Sequence, residues 1–99
     1  MQIIFATPAS EELADAAIYL EAQRPGSGEQ FLKEVETALT YATQHPKIGK
    51  PVDGDVRRLI VKRFHYSLRY RFLETSQVIQ VLRIAHSAQN IPTDTEDRK

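Results

Sequence analysis

Residues 57–86 read RRLIVKRFHYSLRYRFLETSQVIQVLRIAH, and the alternation within this stretch decides the fold. Leu68, Tyr70 and Phe72 alternate with Ser67, Arg69 and Arg71, which predicts a strand over Tyr66–Leu73 with one apolar and one basic face. Arg57–Phe64 before it and Gln77–Ala85 after it read as two more strands, with Glu74-Thr75-Ser76 as a polar hairpin turn. In the last strand Val78, Leu82 and Ile84 fall on one side with Gln80, and Ile79, Val81 and Arg83 on the other. Both sides are partly apolar, as in a central strand whose second face is also covered.

Upstream, Gln2–Ala6 (QIIFA) is a short apolar strand. Thr7-Pro8 opens a helix, the hydroxyl as cap and the proline where its missing N–H costs nothing. Glu11, Glu12 and Asp15 follow near the positive end of the dipole, and Leu13, Ala16, Ala17 and Leu20 form a narrow apolar face. Pro25-Gly26 stops this helix at Arg24. Ser27 and Gln30 have capping-box spacing, and Phe31, Val35, Ala38, Leu39 and Ala42 make the face of a second helix ended by Pro46 and Gly49. So short a link folds the pair into an antiparallel hairpin. Lys47–Val56 reads as a surface loop. The order β-α-α-β-β-β predicts one α+β domain over residues 1–99. Its helical hairpin packs on one face of a mainly antiparallel four-stranded sheet, and 87–99 form an irregular or flexible tail.

Composition narrows the function. Of 99 residues, 41% are hydrophobic and 26% charged, ordinary for a globular domain. With no cysteine, disulfides, thiol nucleophiles and Cys-based zinc sites are excluded. No cluster has metal-ligand spacing and glycines are too sparse for a phosphate loop, so neither metal nor cofactor is expected. No apolar run approaches the roughly 18 residues of a membrane span and no leader is evident, so a cytoplasmic protein without a membrane partner is expected. The formal charge of zero hides a segregation. Residues 1–56 carry four bases against nine acids, a net of −5, and 57–86 carry seven bases against Glu74 alone, a net of +6. The tail adds −1, from two bases and three acids. A one-sign surface selects partners of the opposite sign. Nothing remains in the chain to cover the second sheet face, which is expected to show Arg69, Arg71 and Arg83 among Ile79 and Val81. Arg57, Arg58, Lys62 and Arg63 are further candidates, although alternation lets only about half of them join one patch.

These elements, with Ala9-Ser10-Glu11-Glu12-Leu13, Phe31 and Val35, His45-Pro46-Lys47-Ile48-Gly49-Lys50-Pro51, Arg57–Val61, Phe64–Arg71 and Val81–His86 in order, resemble the RelE/ParE superfamily over residues 3 to 92. These are the toxin halves of bacterial type II toxin–antitoxin pairs. The resemblance implies a cognate antitoxin, whose segment should be acidic and bear aliphatic side chains, and a homodimer or toxin–antitoxin hetero-oligomer as assembly. It implies one of two targets: RelE-like members cut mRNA at the ribosome, and ParE-like members, among them plasmid-stabilization toxins, poison DNA gyrase without hydrolysis.

Cleavage through the 2′-hydroxyl needs a base, an acid and cations for the phosphorane. RelE-like nucleases use an arginine inside Tyr-Arg-Leu-x-Tyr, an arginine just after the last strand and a tyrosine some six residues on. Here those positions hold Ser67, Ser87 and Thr93. A hydroxyl carries no charge, so the expectation leans away from an enzyme. Phe64-His65-Tyr66-Ser67-Leu68-Arg69-Tyr70 follows the ParE-like Phe-Pro-Tyr, small, aliphatic, Tyr pattern with His65 for proline, whereas the Arg-Arg-x-Pro that follows the last histidine in that branch is Ser87-Ala88-Gln89-Asn90-Ile91-Pro92. The alternatives are an mRNA endoribonuclease using His86 with Arg83, and a non-toxic member that only binds its antitoxin.

Overall fold

The computed structural model describes residues 1–87, so Thr93 and nearly all of the expected tail lie outside the described residues. Strand β1 (Gln2–Phe5) leads through Ala6 into α1 (Thr7–Gln23). Ala6 occupies the N-cap, Pro8 sits in the first turn, and no side chain caps the helix, so Thr7 is helical rather than the cap. Arg24 ends it in an extended conformation before Pro25. Helix α2 (Ser27–Gln44) starts at Gly26, which is left-handed (φ 91°), and the expected Ser27–Gln30 box does not form. The Glu21 carboxylate takes its place, accepting hydrogen bonds from the N–H groups of Gly26 (2.9 Å) and Gly28 (3.0 Å). One helix thus caps the next, which fixes the hairpin angle. Phe31, Val35, Leu39 and Ala42 are buried along α2, the stripe that the spacing predicts.

Four more strands follow: β2 (Lys50–Asp53), β3 (Val56–Val61), β4 (Tyr66–Leu73) and β5 (Val78–His86). The sheet therefore has five strands, in the order β1-β5-β4-β3-β2, with β1 parallel to β5 and the other pairs antiparallel. The fifth strand comes from the segment expected as a loop. Pro51 hides it in the sequence, yet an edge strand tolerates proline because its outer side needs no donor. Strand β3 stops at Val61, earlier than Phe64, because the turn over 62–65 holds Arg63 (φ 77°) and His65 (φ 57°) in the left-handed region.

The helices cover one face only. Register places Leu59 beside Leu68 and Ile84, and Phe72 beside Ile79 and Ile3. These meet Phe31, Val35 and Leu39 in the core. Tyr66 joins the same face, its ring 5.0 Å from that of Phe31 and edge-on to it.

Between Arg69 and Tyr70 the β4–β5 register slips: Arg69 pairs with Arg83 but Tyr70 pairs with Val81, leaving Leu82 as the extra residue of a bulge. The bulge reverses the phase of β5. Ile79 and Val81, expected on the uncovered face, are both 0% exposed on the helix-covered one, together with Ile84. Strict alternation cannot place all three on one face; the inserted residue does.

Burial raises the phenol pKa of Tyr70, against lowering contributions from its bond to Gly49 and from Arg57, and it raises that of Tyr66 with a smaller push from Tyr19. Above the ordinary tyrosine value near 10, the unfolded chain therefore releases these protons first and gains over the folded one. Stability is expected to be unaffected by these groups below that pH and to fall above it, by at most about 1.4 kcal/mol per pH unit for each tyrosine. Urea unfolding between pH 9 and 11 checks this, with Tyr66→Phe showing a shallower decline than the parent.

Candidate binding face

The face away from the helices carries a row of bases in direct register. Lys50 of β2 lies opposite Arg58 of β3, Arg58 opposite Arg69 of β4, and Arg69 opposite Arg83 of β5. Cross-strand partners share a face at close range, so four like charges stand side by side on four strands. Such pairs cost stability unless counter-charge arrives, each by a few tenths of a kcal/mol up to about 1 kcal/mol. A parallel row runs Ile60, Ser67 and Ala85, and another Val56, Arg71, Gln80 and Ile4. Ile4 is 41% and Ile60 54% exposed, so apolar patches flank the cations.

The arginines differ in how they are held. Arg83 is anchored by α1: its Nη2 lies 2.7 Å and its Nε 3.1 Å from Glu12 Oε2, and Glu12 Oε1 also accepts the Ile84 backbone N–H at 2.8 Å. Strand β1 ends its pairing at Val81, so Glu12 closes the β5 edge where the ladder stops. The acid expected to serve the helix dipole is spent here instead. Arg71 pairs with Asp55 at 3.1 Å in the open, a contact worth about 0–1 kcal/mol. Arg58 and Arg69 are half-buried.

Three expected members lie elsewhere. Arg57 shares the helix side with Tyr70, and its Nη1 donates to the carbonyls of Lys47 (3.0 Å) and Gly49 (2.8 Å). The Tyr70 hydroxyl donates to the Pro46 carbonyl (2.7 Å) and accepts the Gly49 N–H (3.0 Å). Together they strap the His45–Gly49 loop to the sheet, and Arg57 lies on the helix side, apart from the row. Lys62 and Arg63 lie in the β3–β4 turn, beyond the row. The patch therefore consists of Arg58, Arg69, Arg71 and Arg83, and gains Lys50, Ile4 and Ile60. Proline-tolerant edge pairing around Pro51 is the signal that could have found Lys50.

Strand register puts His86 and Arg83, the residues of the catalytic alternative, on opposite faces of β5. His86 is opposite Tyr66 on the helix side, its ring 5.3 Å from the tyrosine ring and 6.4 Å from that of His65. Arg83 lies on the other face, tied to Glu12. Ser67 is 4% exposed between Ile60 and Ala85, where a RelE-like site would need a guanidinium. Ser87 is exposed and donates its N–H to the His65 carbonyl. Among the described residues no group of three or more acids, histidines or cysteines could hold a metal ion, and no helix is long and apolar enough to cross a membrane.

Two helices on one face of a mixed five-stranded sheet are also the architecture of solved ParE and RelE chains. The chromosomal ParDE toxin–antitoxin system of P. aeruginosa contains a chain with TM-score 0.72 and 19% identity, over 87% of this chain and 95% of that one. The isolated E. coli RelE toxin gives 0.64 and 16%, over 90% and 86%. The intact E. coli RelBE toxin–antitoxin complex gives 0.65 and 16%, over 89% and 98%. No curated protein sequence matches. The family model for the ParE toxin of the type II toxin–antitoxin system parDE matches residues 3–91, and the chain belongs to that family.

Proposed function

We propose that this chain is a toxin that a cognate antitoxin silences by laying an acidic, aliphatic-bearing segment across the Lys50–Arg58–Arg69–Arg83 row, and that the free chain inhibits DNA gyrase by binding rather than by cleaving RNA. The observation that carries the reading is the row itself. Bases in cross-strand register repel one another; Glu12 already offsets Arg83, and carboxylates laid over Lys50 and Arg58 would relieve the rest of that repulsion. Ile4 and Ile60 beside the row offer aliphatic contacts for the same segment. The buried Ser67 leaves no guanidinium at that strand position, and strand register puts His86 on the face opposite the cations, which favours binding over cleavage.

The purified chain is expected to block gyrase supercoiling at micromolar concentration and to leave translated mRNA intact. RNA cuts that disappear in His86→Ala would overturn the gyrase reading in favour of the nuclease. The row has its own test. Lys50→Gln with Arg58→Gln is expected to weaken antitoxin binding about tenfold, near 1.4 kcal/mol, and to flatten its salt dependence. The melting temperature of the free chain should stay level or rise, because like-charge repulsion is removed. Unchanged affinity in titration calorimetry would place the antitoxin elsewhere.

A further inference from the structure

A second cationic site lies at the opposite end of the β3 and β4 strands from Asp55. The helix–helix turn and the β3–β4 turn enclose an open cavity of about 490 Å³ lined by Leu20, Gln23, Arg24, Ser27, Gln30, Arg63, Phe64 and His65. Leu20 and Phe64 are its half-buried apolar members, and Arg24, Arg63, His65 and the two glutamines are exposed. Among the described residues neither Arg24 nor Arg63 has an ion-pair partner. The carboxylate adjoining Ser27, that of Glu21, is already engaged by the Gly26 and Gly28 N–H groups.

The backbone gives an independent reason to look here. Three non-glycine residues in the described chain have positive φ, and two of them, Arg63 (77°) and His65 (57°), flank Phe64 in this cavity's wall. Left-handed arginine and histidine are strained, and such strain gathers where side chains must be held for a ligand. The turn holds Arg63 and His65 on the same cavity as Arg24, which comes from a different element.

We propose that this cavity binds a phosphate monoester of mononucleotide size. Two arginines lining one cavity suit a terminal phosphate, since each guanidinium can grip it in bidentate fashion. Gln23, Gln30 and Ser27 supply donors and acceptors for a ribose or a base edge, and Leu20 and Phe64 supply apolar surface for a flat ring. The volume lies within the range of small-molecule sites, roughly 300–1,000 Å³, and is far larger than a bare phosphate needs. This site does not depend on the antitoxin row, from which its residues are separate.

Titration calorimetry and ¹H–¹⁵N NMR on the full chain test it, with 5′-AMP and 5′-GMP as probes and adenosine, guanosine and inorganic phosphate as controls. At least one nucleotide is expected to bind saturably at about millimolar Kd or tighter, with shifts centred on Ser27 and Arg63–His65, and the controls about tenfold more weakly. Arg24→Gln and Arg63→Gly should each weaken binding about fivefold or more. The glycine keeps the φ of residue 63 accessible, so that variant removes the charge without straining the turn. The proposal is overturned by the absence of saturable nucleotide binding up to about 10 mM, by nucleosides binding equally well, by shifts centred on Lys50 and Arg58, or by affinities that ignore both substitutions.

Discussion

Gly49→Ala is expected to lower the melting temperature by about 8–16 °C, the equivalent of about 2 kcal/mol for a domain of this size. An added Cβ would sit 2.8 Å from Tyr70 Cε1, 2.9 Å from Arg57 Cβ and 2.9 Å from the Arg58 carbonyl oxygen. Two of these neighbours belong to the β3 backbone region and the third to a ring that is fully buried, so none can retreat cheaply. The same movement would pull the Gly49 N–H from the Tyr70 hydroxyl and its carbonyl from Arg57. Tyr70→Phe isolates the hydrogen-bonding part. It leaves the Gly49 N–H and the Pro46 carbonyl without the hydroxyl that serves both, at a cost of about 1–3 kcal/mol. Thermal melts of the two variants decide the matter: a shift below about 2 °C in both would mean the loop is not strapped as described.

Glu12→Ala is expected to cost about 2–3 kcal/mol, the larger effect of the two, although Glu12 lies on the flank of a helix. Its carboxylate serves a guanidinium and a backbone N–H at once, and truncation removes that acceptor from both. The side chains of Arg83 and Glu12 are 29% and 27% exposed, so water recovers part of the loss and the figure stays below that of a fully buried pair. Amide hydrogen exchange gives a local readout, since the Ile84 N–H should lose its protection while Leu68 and Tyr70, deep in the sheet, keep theirs. Glu12→Gln retains an acceptor for Ile84 but loses the charge, and should fall between the parent and alanine. If alanine melts within about 2 °C of the parent, Glu12 does not close the β5 edge.

Both predictions rest on contacts that span long stretches of chain. Glu12 and Arg83 are 71 residues apart, and Pro46 and Tyr70 are 24 apart. Nothing in local periodicity reports such a pair. In the sequence Glu12 reads as an acid near a helix start, and Arg83 as one more base on a strand. The site was legible in part. That a one-sided charge excess gathers on the strands follows from the residues themselves, and Arg69 and Arg71 share the face that alternation gives them, whereas alternation leaves open which of Arg57, Arg58, Lys62 and Arg63 joins it. Ile79 and Val81 were misplaced because a bulge has no composition of its own: Val-Leu-Arg-Ile carries no glycine or turn residue to mark the slip at Leu82. Arg57 was misplaced for a related reason. Its partner across the ladder is Tyr70, and a base on a core face reads as an error until the loop carbonyls that satisfy it are seen.

The helical hairpin, the three long strands and their order along the chain follow from the residues, because each rests on spacing within a dozen residues and on breakers at Pro25-Gly26 and Pro46. So does the absence of a guanidinium at Ser67 and Ser87, since identity needs no coordinates. Tertiary structure alone decided which bases meet. Register aligned Lys50, Arg58, Arg69 and Arg83 across four strands, and the bulge turned Ile79 and Val81 into the core. The reason is physical: a face is chosen by which side of the sheet the helices bury, and one inserted residue reverses that choice for everything beyond it.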